Sequence, residues 1–153
     1  MNMERKKLRQ LFAWLLVIIW MGVIFYLSHQ PATASSTLSS GITEIIIRTL
    51  KTIAPFMDLE LHAFHHFIRK GAHFFAYFML GFLVIHALEM RHVKGMALAL
   101  AISVLYAISD EVHQLFIPGR SGEVRDVLID SAGAVVGIIS YRIIWKVMRK
   151  REQ

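Results

Sequence analysis

A chain of 153 residues with 56% hydrophobic side chains and a mean hydropathy of +0.51 has the length of one domain and is too apolar for an ordinary soluble one. Its formal charge of +6 is gathered at the ends of apolar segments rather than on one basic face, which argues against a nucleic-acid partner. Cysteine is absent, which excludes a disulfide framework, a thiolate nucleophile and a thiolate metal site.

A membrane-spanning helix needs about 20 mostly apolar residues, with a usable range of about 17–25. The first candidate, residues 11–28, opens on "LFAWLLVIIWMGVIFYL" without a charge and follows Arg5, Lys6, Lys7 and Arg9. No small-residue cleavage pattern closes it, since "FYLSHQPA" is bulky and polar, so it reads as a retained span rather than a signal peptide. Residues 28–41, "SHQPATASSTLSSG", read as an exposed loop. In residues 38–56, Ile42, Ile45, Ile46, Thr49, Leu50 and Ile53 recur at helical spacing while Glu44, Arg48 and Lys51 point elsewhere. That stretch is too short and charged to span. It predicts an amphipathic helix in the first extracytoplasmic loop, lying on the outer membrane surface or packed over the bundle. His62, His65 and His66 then read as solvated or interfacial rather than as metal ligands.

Three further spans follow at about 70–89, 95–116 and 124–146. The expected fold is therefore all-α, a single integral membrane domain over residues 1–153 with four transmembrane helices. Arg5 to Arg9, then Arg91 and Lys94, then Lys146 to Arg151 fall on one side of that topology. The positive-inside rule puts them, and both termini, in the cytoplasm of a cell whose cytoplasmic membrane holds the protein.

The polar residues inside the spans form stripes. Lys70, His73 and Tyr77 share one face of the second span at i, i+3 and i+7. Tyr106, Asp110, His113 and Gln114 share a face of the third, with Glu111 about 100° round from Asp110. Asp126 and Asp130 lie at i and i+4 on the fourth, and Gly133 and Gly137 continue their stripe. Arg120 sits in the short turn "IPGRSGEV" between the last two spans. With spans alternating in direction, all these groups reach one depth near the outer surface. Ionisable groups there survive by pairing or by lining a wet site. Eight of them exceed what a structural clamp needs and point to a polar pocket facing the outer leaflet.

The pieces "YLSHQPATASS", "RKGAHFFAYFMLG" and "SDEVHQLFIPGRSGEVRDVLIDSAGAVVG", with four spans, resemble the VanZ-like proteins over nearly the whole chain. His29 stands where that family usually has serine, and many members carry Asn near Asp130. The resemblance marks Lys70, His73, Tyr77, Asp110, Glu111, His113, Gln114, Phe116, Pro118, Arg120, Asp126, Gly133 and Gly137 as motif positions. It implies a cell-envelope role linked to low-level teicoplanin resistance, with little effect on vancomycin.

Three kinds of function fit. In an enzyme acting on an outer-leaflet amphiphile, Lys70 and Arg120 would hold a phosphate or carboxylate, with His73, Tyr77, Gln114 and Asp130 lining the substrate. Asp110, Glu111, His113 and Asp126 would then supply acid–base chemistry. The substrate would be a membrane lipid or a lipid-linked cell-wall precursor. In a binding or shielding protein the same pocket would hold such a headgroup, or a lipoglycopeptide, without turnover. In a metal protein, His73, Asp110, Glu111, His113 and Asp126 would be donors, although Asp-Glu-x-His is no standard metal motif and the sequence names no cofactor.

Overall fold

The computed structural model describes residues 3–31, 61–90 and 92–151, together with Gly41 and Thr49. Its elements are four helices, α1 (Met3–Ser28), α2 (Leu61–Leu88), α3 (Val93–Gln114) and α4 (Val124–Arg151). There is no strand among the described residues. Each helix contains a stretch long and apolar enough to cross a membrane. The shortest, α3, has 22 residues and covers about 33 Å, against about 30 Å of bilayer hydrocarbon. Of the amphipathic helix expected at 38–56, only Gly41 and Thr49 are described, both in helical conformation, and the rest lies outside the described residues. So do the side chains of His62, His65 and His66, although these residues fall on the first turns of α2.

The helix ends differ from the apolar runs for local reasons. α1 begins at Met3, so Arg5, Lys6, Lys7 and Arg9 ride on the helix instead of preceding it. α3 stops at Gln114 rather than Phe116. The N–H groups of Phe116 and Ile117 bond to the carbonyls three residues back, tightening the chain into Pro118. Gly119 then takes a φ of 75°, and α4 opens at Val124.

The bundle is inside out by the standard of a soluble protein. Phe12, Ile18, Leu105, Leu128 and Ile143 are exposed, a surface that suits lipid tails rather than water. The buried face of α3 runs through Gly95, Ala99, Ser103 and Ala107. The same core holds larger residues of α2, among them Tyr77, Leu80 and Val84. The most extensive helix pair is α2 with α4. There Gly133 and Gly137 lie so close to the backbone of Phe74 and Phe78 that a Cβ at either glycine would collide with it. Small residues of this kind allow close approach where no hydrophobic drive separates helix from lipid. α1 is tied in by two hydrogen bonds to main-chain carbonyls. Trp20 Nε1 donates to Ala76 at 2.9 Å, and the Tyr106 hydroxyl donates to Met21 at 2.6 Å.

Consecutive helices alternate in direction. The C-terminal ends of α1 and α3 therefore meet the N-terminal halves of α2 and α4 at one end of the bundle. This is the polar end. The other end carries the basic residues of α1, Lys94 and the basic tail of α4.

Candidate functional site

Lys70 anchors the polar end. It is buried, and its Nζ forms an ion pair with Asp126, itself buried in the first turn of α4. The same Nζ lies 3.3 Å from Glu123. A lone charge near hydrocarbon is costly, and this pair cancels two.

Deeper in the bundle sit His73 of α2, Asp110 and Glu111 of α3, and Asp130 of α4. Each can offer a ligand atom such that all four atoms lie within 4.8 Å of one another. His73 and Asp130 are each six residues inside their spans, about 9 Å below the polar end. The two α3 acids are held by donors. Ser28 Oγ donates to Asp110 Oδ2 at 2.8 Å. Gln114 Nε2 donates to Glu111 Oε1 at 3.1 Å, and the Glu123 N–H donates to Glu111 Oε2 at 2.8 Å. Asp130 differs. Its Oδ1 is 3.5 Å from His73 Nδ1, yet neither of its carboxylate oxygens has a hydrogen-bond partner. Asp110 Oδ1 and the Tyr77 hydroxyl are buried without one as well.

Arg120 sits in the turn between α3 and α4, at the same end of the bundle. Its Nη1 donates to Gln114 Oε1 at 3.2 Å, Nε to the Gln30 carbonyl at 3.1 Å and Nη2 to the Leu27 carbonyl at 3.3 Å. The turn is thereby fastened to the end of α1. Burial pulls the Arg120 guanidinium below its ordinary pKa, and the nearby positive charge of Arg69 pulls the same way. Arginine stays protonated even so. The Nε of Arg69 is buried without a hydrogen-bond partner among the described residues.

The expected α3 stripe divides in two. Asp110, Glu111 and Gln114 face the interior, so Glu111 joins Asp110 despite the angle between them. His113 turns to α1, stacking on Phe25 with ring centres 4.6 Å apart and placing Nε2 3.2 Å from His29 Nδ1. It is outside the group of four, and so is Asp126, which is engaged by Lys70. The donor set that geometry offers a metal is thus His73, Asp110, Glu111 and Asp130, not the one expected with His113 and Asp126. Tyr77 lies one turn beyond His73, its ring centre 6.3 Å from that of Tyr106.

Ser28, Arg69 and Glu123 contribute to the polar end without having been picked out by any helical stripe. They do lie inside or beside the motif pieces, in "YLSHQ", "RKGAHFF" and "SGEVRDV". A family model described as VanZ/LLP1 matches residues 12–145. No significant match was found among curated proteins or among solved structures.

Proposed function

The chain belongs to the VanZ/LLP1 family, and on that footing we propose that its polar end binds the anionic headgroup of a cell-envelope lipid or lipid-linked wall precursor in the outer leaflet of the cytoplasmic membrane. The reading rests chiefly on Arg69 and Arg120. Two guanidiniums stand close enough for one to perturb the other, and one keeps a buried N–H without a partner. A phosphate or carboxylate between them would relieve the repulsion and accept that N–H. Guanidinium forks suit such anions because they offer parallel donors in one plane. Depth supports the same reading. These groups lie at one end of the spans, where a headgroup resides, rather than at the midplane where transporters place their sites. Low-level teicoplanin resistance would follow from handling of the same amphiphiles.

Two experiments test this. Purified protein is titrated with an anionic phospholipid, an isoprenoid-linked phosphate and a zwitterionic phospholipid. Anionic ligands are expected to bind preferentially. Arg69→Gln and Arg120→Ala should each weaken that binding by about tenfold or more, the loss of roughly one charge-assisted contact. Equal binding of neutral and anionic lipids, or variants that bind like wild type, would refute the assignment. In a sensitive host, wild type should protect against teicoplanin but not vancomycin, and Arg120→Ala at matched membrane abundance should not protect.

A further inference from the structure

We infer that His73, Asp110, Glu111 and Asp130 form a binding site for one divalent transition-metal ion. The first observation is geometric: one imidazole and three carboxylates from three helices bring ligand atoms within 4.8 Å of one another. Asp110, Glu111 and Asp130 are at most 5% exposed.

The second is what the surrounding polar atoms do. Both oxygens of Glu111 accept hydrogen bonds, from the Gln114 amide and the Glu123 N–H. Asp110 accepts one from Ser28. These partners donate, and they fix which way each carboxylate oxygen points. Partners of this kind orient ligating carboxylates in metal sites. The oxygens left over form no hydrogen bond. Asp110 Oδ1 and both oxygens of Asp130 are buried and unpartnered, and Asp130 is fully inaccessible. Tyr77, 1% exposed, brings its hydroxyl toward the Asp110 carboxylate.

Three carboxylates packed together away from water can be charged at once only beside a cation, and the single His73 ring 3.5 Å from Asp130 cannot balance three. Lys70 does not supply it, because its ammonium is committed to Asp126 and Glu123. A divalent ion would neutralise two of the three charges and take up the orphaned oxygens. Mixed imidazole and carboxylate donors without thiolate suit Mn2+, Fe2+ or Zn2+ better than Cu+. As an account of what the headgroup meets, the inference rests on the reading of the polar end given above.

The full chain, purified in detergent on a tag that needs no immobilised metal, is stripped with EDTA and then titrated with Mn2+ and with Zn2+. Free Mn2+ is followed by electron paramagnetic resonance, and retained metal by elemental analysis after desalting. About one equivalent per chain is expected. The thermal unfolding temperature should rise with the ion, because it binds only the folded bundle. Asp130→Asn and Asp110→Asn should lose both the retained metal and the rise. Folded wild type that retains neither ion and shows no rise would overturn the site, and this readout stands whether or not a variant folds. An Asp130→Asn protein that binds like wild type would overturn it too. Anionic-lipid binding measured on the same preparations separates the two proposals. Lipid selectivity with no metal retained leaves the headgroup reading standing and removes the ion. Metal retained with no lipid selectivity does the reverse.

Discussion

A lysine that enters a membrane charged must find an anion, and Lys70 finds Asp126 across the α2–α4 seam. Their side chains are 10% and 3% exposed, so removing either partner strands the other away from water. Lys70→Met and Asp126→Leu should each destabilise the protein by about 3–5 kcal/mol, while the double variant should recover most of that loss. Thermal unfolding in detergent, run as a double-mutant cycle, reads this directly. Purely additive losses would mean that the pair contributes nothing as a pair. The sequence made Lys70, His73, Asp126 and Asp130 legible because residues three or four apart share a helix face. It left Ser28, Arg69 and Glu123 obscure for the same reason. Their roles come from a neighbouring helix or turn, and a helical wheel carries no information about neighbours.

Along α3, spacing alone joined His113 to Asp110, and the packing joined Glu111 instead. A better guide lay in the small residues. Gly95, Ala99, Ser103 and Ala107 are the seam of α3, and at ~100° per residue Asp110, Glu111 and Gln114 fall within about 60° of Ala107 round the wheel, whereas His113 falls about 120° away. The polar stripe could not show which way the helix faced; the small-residue stripe could, because a close-packed helix turns its smallest side chains inward. On α4 that logic was legible from the start in Gly133 and Gly137. Gly133→Leu should therefore destabilise the bundle by about 1–3 kcal/mol or more, since overpacking meets backbone that cannot yield. Gly71→Ala, with open space around its new methyl, should leave stability unchanged or slightly raised. A thermal-unfolding comparison checks both, and equal effects would contradict the close approach of α2 and α4.

At the scale of the whole molecule, composition was enough to indicate four apolar helices and an inside-out surface, because both follow from the length and charge of each segment. Which side of the membrane the polar end faces follows only from the distribution of lysine and arginine. The lack of cysteine makes that orientation open to a clean test. Ser121→Cys, at an exposed position in the α3–α4 turn, should react with a membrane-impermeant maleimide in intact cells. Lys94→Cys, at the basic end, should react only after permeabilisation. The opposite pattern would invert the protein and move the polar end to the inner leaflet. Lys94→Ala should leave any function of the polar end intact, and a strong loss at normal abundance would contradict the same orientation.

The Lys70–Asp126 pair also bears on how the protein is made. Its partners are 56 residues apart in the chain, and α4 is synthesised after α2 and α3. At about 5–20 residues per second, Lys70 leaves the ribosome some 3–11 s before the carboxylate that will neutralise it. During that interval α2 has to hold an uncompensated ammonium at the edge of the hydrocarbon. α4 therefore packs on α2 and also discharges a debt incurred by it, and a nascent chain cut short before α4 should be an inviting substrate for membrane quality control.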